Sequence, residues 1–262
     1  MSRNSSPHRL PPAPAQYTED DLEYLEEQNE EQVTQRHLFC ALDYIVTLLN
    51  AKDISYGIMG GMSMILLGNQ RRTTTDVDVA VDVKPKDLLT VLEEEPRVYR
   101  PRPGSVAGSG VARIFVLTGP SYGENVKSLA VEVDLIISGN KGAPAKLDGT
   151  TNILSVQTES GKVEYNILNL QHLFVAKLRS FRARESQKDF DDLVWMCTTK
   201  GHEVEGFAPK LDQAAKENFA YAYAKKGADD KKIQSLCKLL GVSLSRPSSS
   251  GSNGSICNLP YV

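Results

Sequence analysis

The sequence predicts an α+β fold, in which mixed strands and helices come first and a helical region follows. Three observations carry this expectation. Residues 75–83 (TDVDVAVDV) and 129–137 (LAVEVDLII) alternate with a period of two, as half-buried strands do. Between and before them lie stretches with apolar residues at helical spacing. Beyond residue 170 the strand-like runs stop and helical patterns continue to residue 240.

Taken in order, residues 1–17 are rich in Pro, Ser and Arg and are expected to be a disordered extension, because they offer little apolar surface to offset ordering. Thr18 and Asp21 have capping-box spacing, so a helix is expected to begin there. Residues 33–51 read as a second helix with Leu38, Ala41, Ile45, Leu48 and Leu49 on one stripe. Residues 54–59 read as a short strand, ended by Gly60-Gly61 and followed by a short helix over 62–67. The strand over 75–83 comes next, then a helix opened by Pro85. Residues 98–110 carry Pro, Gly and Arg and read as a loop or a ragged edge. Strands are expected over 112–117, 129–137, 152–158 and 163–167, then a broken helical stretch over 170–199 and two helices within 213–240. The expected organisation is thus a core with an N-terminal helix over 18–168, a helical C-terminal region over 169–240 and a flexible Ser/Gly-rich tail over 241–262.

Bulk properties narrow the function. The chain has 262 residues, 40% hydrophobic and 24% charged, which suits a globular protein. A formal net charge of −3 argues against a long, purely electrostatic nucleic-acid footprint. Cys40, Cys197, Cys237 and Cys257 are scattered without a CxxC pair, so reduced thiols are expected rather than a zinc site or disulfide framework. No apolar run approaches the roughly 20 residues of a membrane span, and no signal-like segment opens the chain. The expected setting is cytoplasmic, with the nucleus left open and no membrane partner.

The chemistry is concentrated in residues 60–79, GGMSMILLGNQRRTTTDVDV. Asp76 and Asp78 stand two apart and share one face of their strand, while Val77 and Val79 point into the core. Two neighbouring carboxylates repel each other unless a cation neutralises them. Mg²⁺ or Mn²⁺, which prefers oxygen ligands and phosphates, suits that task. Glu132 and Asp134 share a face of a later strand, and strand geometry alone does not choose a third carboxylate between them. Gly60 and Gly61, at a strand-to-helix junction, allow close approach of a phosphate to backbone N–H groups, and Ser63 adds a hydroxyl. A glycine pair or an Asp-x-Asp alone is a weak signal; their order and compact spacing together are specific.

These residues resemble the nucleotidyltransferase-fold superfamily of DNA polymerase β-like enzymes, and within it the minimal and abortive-infection (AbiEii-like) members. The matching pattern reads Gly60, Gly61, Ser63, Gly68, Arg72, Thr74, Asp76, Val77, Asp78. A second block, KLRSFRARESQKDFDDL, is similar to a helical signature of that group through Lys177, Lys188, Asp189, Asp192 and Leu193. The resemblance spans residues 54–193. Met62 departs from it as bulkier than the usual small residue, and residues 97–110 as a longer loop.

The resemblance implies a small mixed sheet flanked by helices, closed by a helical C-terminal region. It implies Asp134, set between Val133 and Leu135, as the third carboxylate. It further implies transfer of an NMP from an NTP to a hydroxyl acceptor with release of pyrophosphate. Asp76, Asp78 and Asp134 would hold Mg²⁺ or Mn²⁺ and carry catalysis. Gly60, Gly61, Ser63, Arg72, Lys177 and Lys188 would bind the nucleotide, with a structural ion pair equally open for Arg72 and a solvated basic face the alternative for Lys177 and Lys188. The acceptor class stays open among a protein, a tRNA and a small molecule, and a regulatory protein partner is compatible with the abortive-infection likeness. Asp189 and Asp192, three apart on a helix, are expected either to anchor Lys or Arg side chains that position the cleft or to serve a purely structural role. The competing expectation is a catalytically silent nucleotide-binding or partner-binding module on the same fold.

Overall fold

The protein was analysed as a computed structural model, which describes residues 10–158, 161–227 and 229–244. Its centre is an eight-stranded mixed sheet flanked by helices. The strands are β1 (Ala15–Gln16), β2 (Tyr56–Ile58), β3 (Val77–Val81), β4 (Val98–Arg100), β5 (Val111–Thr118), β6 (Leu129–Ile137), β7 (Thr151–Thr158) and β8 (Gly161–Leu168). Their spatial order is β1-β4-β5-β6-β3-β2-β8-β7. Strands β3 and β6 run parallel, while β5–β6 and β2–β3 are antiparallel.

The helices follow the same sequence logic. α1 (Glu19–Gln32) starts at the expected capping box, where the Thr18 hydroxyl accepts from the Asp21 N–H and the Asp21 carboxylate accepts from the Thr18 N–H at 2.9 Å. α2 (Gln35–Ala51) buries the expected apolar stripe and packs on β3, β5 and β6. Val79 of β3, Val133 of β6 and Ile114 of β5 fill that side of the sheet, all fully buried. On the opposite side α1 covers a smaller cluster of Tyr17, Leu25, Tyr99 and Phe115, with the Tyr17 and Phe115 rings edge to face at 5.9 Å. α3 (Gly60–Leu66), α4 (Pro85–Glu93) and α5 (Pro103–Ser109) connect the strands.

The C-terminal helices are α6 (Leu170–Arg184), α7 (Gln187–Thr199), α8 (Gly201–Phe207), α9 (Gln213–Lys225) and α10 (Asp230–Leu240). Asn169 caps α6 through the His172 N–H at 3.1 Å, and Glu185 ends it in the left-handed region at φ 49°. Phe181, Phe190 and Phe219 then lock α6, α7 and α9 together through ring contacts near 6 Å.

Three expectations are corrected. The end of the segment expected to lack order, residues 15–16, forms β1 against β4, and Tyr17 is buried beside it. Apolar contact and a sheet edge supplied by distant residues outweigh its local composition. Residues 98–110, read as a loop or a ragged edge, hold β4 and α5; Pro103 sits in the first turn of α5, where a missing N–H costs nothing. The glycine pair belongs to the first turn of α3 rather than to a separate turn before it. The tail expected over 241–262 lies outside the described residues from 245 onward. Among the described residues no helix is long and apolar enough to cross a membrane, and Cys40, Cys197 and Cys237 are free thiols.

Candidate active site

A cleft of about 1140 Å³ opens between the sheet and the C-terminal helices. Asp76, Asp78, Asp134, Gly60, Gly61, Arg72, Lys177 and Lys188 all line it, so the fold brings together eight of the nine residues singled out from sequence. The ninth, Ser63, is fully buried in α3 and donates its hydroxyl to the Gly60 carbonyl at 2.8 Å, outside the cleft lining. Met62, the bulky departure, is likewise fully buried in the core.

The strand wall is built by register. Asp78 on β3 lies directly beside Asp134 on the parallel strand β6. Neighbouring strands stand about 4.8 Å apart, so the two carboxylates leave the same face as close neighbours. Asp76 sits one residue before β3 and accepts a 2.6 Å hydrogen bond from the Thr74 hydroxyl. Burial, then the charges of Asp76 and Asp134, push the Asp78 carboxyl up to about 7. Burial raises Glu132 to about 7 as well, with Asp134 and Asp76 adding to the effect against the pull of Arg113.

The glycines answer to this wall. Gly60 adopts φ +62°, and a Cβ there would overlap the Asp78 carboxylate. A Cβ on Gly61 would collide with the Thr74 side chain and approach an Arg72 guanidinium nitrogen at 2.9 Å. The first turn of α3 is therefore pressed against the residues that carry the carboxylates.

The helical wall carries cations. Lys177 lies on the buried stripe of α6 with Leu173, Phe174 and Leu178. A buried ammonium needs partners, and α7 supplies two. Lys177 Nζ stands 2.8 Å from Asp192 and 3.3 Å from Asp189. Arg72 reaches Asp192 at 3.1 Å, and Arg184 reaches Asp189 at 2.8 Å. The resulting chain, Arg72–Asp192–Lys177–Asp189–Arg184, ties the segment before β3 to α6 and α7. The expectation that Asp189 and Asp192 anchor basic side chains is met. Lys188 is exposed and lines the cleft.

Sequence reading missed Arg113. It lies opposite Asp134 in the β5–β6 register and grips it with two hydrogen bonds of 3.0 and 3.1 Å. Its Nε is also 3.0 Å from Glu132, and Glu26 of α1 pairs with the other side of the guanidinium. The hydrogen bonding to Asp134 is the main reason the guanidinium is held still more firmly protonated than usual. Asn29 was missed too: buried in α1, it donates to the Thr75 carbonyl at 2.7 Å and accepts from the Glu132 N–H at 3.1 Å. The available signals were one cation inside the apolar run ARIFVL and an Asn on an acidic helix; neither identifies its partner.

Among the described residues no group of three or more His, Cys, Asp or Glu side chains is arranged to hold a metal ion by itself. The donor set still fits a divalent cation at Asp76 and Asp78, where crowded carboxylates line the cleft.

No protein-family model and no curated protein matches the chain. Solved structures similar to it include an antigenic nucleotidyltransferase-like protein from Paracoccidioides brasiliensis, at 17% identity and TM-score 0.46 over 64% of this chain and 78% of that one. Another is JHP933 from Helicobacter pylori, at 15% identity and TM-score 0.44 over 80% of this chain and 92% of that one. Likeness of this degree says nothing about chemistry, which rests on the residues of the cleft itself.

Proposed function

We propose that this cleft transfers an NMP from an NTP to a hydroxyl acceptor. The observation that carries the proposal is the division of charge across one cavity. Carboxylates from β3 and β6 line one wall, and Lys177, Arg184 and Lys188 line the other. A triphosphate bound between them would set its β and γ phosphates against the cations. Mg²⁺ or Mn²⁺ at Asp76 and Asp78 would supply the charge that lets those carboxylates and the α-phosphate come together.

In this reading the acceptor oxygen attacks the α-phosphorus and the bond to the pyrophosphate oxygen breaks. The acceptor proton passes to Asp134, whose oxygens keep lone pairs beyond those engaged by Arg113. Lys177, fixed by Asp189 and Asp192, neutralises charge gathering on the departing pyrophosphate. Gly60 and Gly61 keep α3 close to the carboxylates and leave its N-terminal N–H groups near the phosphates. Residues of α5 and the segment before it, Arg102 and Ser105 among them, line the far side, where the acceptor would enter.

The test is pyrophosphate release from each NTP with Mg²⁺ or Mn²⁺ and an extract as the acceptor pool. Replacing Asp76 or Asp78 with Ala should lower the rate at least ~10²-fold, since the lost charge stabilisation is several kcal/mol. Metal-independent release, or release unchanged in both variants, would exclude this chemistry. The second reading, a nucleotide-binding module without turnover, is favoured by one observation: Arg113 already occupies the Asp134 carboxylate. Tight NTP binding with no pyrophosphate release in any extract would select it.

A further inference from the structure

We propose that Arg113 is a fixed counter-cation for Asp134, so that the strand wall recruits one divalent cation, at Asp76 and Asp78, and not a second one shared with Asp134. This rests on the nucleotidyl-transfer reading for the first cation and adds to it a role for a residue which that reading leaves unused.

Three features support the assignment. The guanidinium meets Asp134 in a two-point fork, 3.0 and 3.1 Å long, which matches carboxylate geometry and occupies one lone pair of each oxygen. The fork is imposed by strand pairing, because Arg113 and Asp134 are direct partners in the β5–β6 ladder. It is buttressed from behind: Glu132 takes Nε at 3.0 Å, Glu26 of α1 pairs with a terminal nitrogen, and Tyr17 donates its hydroxyl to the Arg113 carbonyl at 2.8 Å. A guanidinium so held is not free to swing aside when a cation arrives, and it repels a second cation at its own carboxylate. Asp78, next to Asp134 in register, has no arginine fork of this kind among the described residues. The arginine thereby takes the place that a second ion takes where two metals share three carboxylates.

The experiment counts Mn²⁺ bound to the full chain, reading the free ion by electron paramagnetic resonance, with circular dichroism as the control for folding. The native protein should bind one Mn²⁺, and Asp76→Asn should lose it. Asp134→Asn should keep it, with affinity within about threefold, because Asp134 is not its ligand. Arg113→Gln should take up a second Mn²⁺, and adding Asp134→Asn should return the count to one. Arg113→Lys, which keeps the charge without the fork, should stay at one. If Arg113→Gln does not fold, Asp134→Asn alone decides: loss of the ion, or a tenfold weaker affinity, overturns the proposal. Two ions on the native protein also overturn it while leaving the transfer chemistry standing. No Mn²⁺ on either the native protein or Arg113→Gln overturns both.

Discussion

The two walls of the cleft handle charge in opposite ways. On the helical wall, each buried charge has opposite partners: Lys177 lies between Asp189 and Asp192, and Arg72 and Arg184 close the ends of the chain. On the strand wall, Asp76, Asp78, Asp134 and Glu132 crowd one sheet face against a single arginine fork, and Asp78 is pushed up to about 7. One wall is satisfied by the protein itself. The other is left crowded with like charge, which is what the proposed cation and triphosphate would relieve. The contrast therefore separates a charge network balanced within the fold, from which Lys177 also lines the cleft, from carboxylates that the fold leaves crowded, and variants should separate the two.

The largest effect on stability belongs to the satisfied wall. Asp192→Asn leaves Lys177 and Arg72 without their shared, fully buried carboxylate. Breaking a buried pair from one side costs about 3–5 kcal/mol, or on the order of 10 °C in Tm for a chain of this size. Thermal unfolding followed by circular dichroism measures it, and a Tm within 2 °C of native would erase the distinction between the walls.

Second comes Gly60→Ala. The left-handed backbone alone costs about 1–2 kcal/mol for a residue with a Cβ, and the added carbon also displaces the Asp78 carboxylate. Stability and NTP-dependent pyrophosphate release should therefore fall together. Gly68, also at positive φ but with open space around its Cβ position, should lose stability alone.

The strand wall predicts a pH dependence of opposite sense to that of a carboxylate whose value an ion pair lowers. Asp78 and Glu132 have folded-state values raised to about 7, above those of the unfolded chain. Between roughly pH 4 and 7 the unfolded state binds fewer protons at these sites, so they lower stability progressively as pH rises through that window. Without divalent cations, Asp78→Asn should remove part of this decline and gain a few °C at pH 7 over the native protein. Added Mn²⁺ should raise the native Tm more at pH 7 than at pH 5, because protons compete for the carboxylates. A Tm of Asp78→Asn below native at pH 7 would count against the crowding argument.

How much of this was legible follows the same division. Alternation placed β3 and β6, and two-residue spacing put Asp76 with Asp78 and Glu132 with Asp134 on shared faces; the ladder then aligned Asp78 with Asp134. Helical spacing likewise put Asp189 and Asp192 on one face of α7. What stayed hidden depended on pairings between distant segments. Arg113 meets Asp134 only because β5 runs antiparallel beside β6, and Asn29 reaches Thr75 and Glu132 only because α1 lies across that sheet face. β1 and β4 are too short to announce themselves and exist through pairing with distant segments, β1 on β4 and β4 on β5. Ser63, read as a phosphate ligand from its place after the glycines, turns inward because the fourth position of so short a helix returns to its own first carbonyl.

The smallest expected effect tests the rim. Lys188 is exposed, lines the cleft beside the buried chain and forms no ion pair among the described residues. It belongs to neither wall's internal balance, so Lys188→Ala should leave Tm unchanged within about 0.5 kcal/mol of stability. Its charge still faces the cavity through which a triphosphate would pass. An exposed charge of this kind contributes up to about 1 kcal/mol, which corresponds to a two- to fivefold rise in KM for the NTP with kcat preserved. Since the contact is solvated, the difference should shrink as salt rises from 50 to 500 mM, roughly from a Debye length of 14 Å to one of 4 Å. Lys177→Ala should differ on every count, losing stability and kcat with little dependence on salt. Equal behaviour of the two lysines would mean that the helical wall is a uniform basic surface, and that burial against Asp189 and Asp192 confers nothing specific on Lys177.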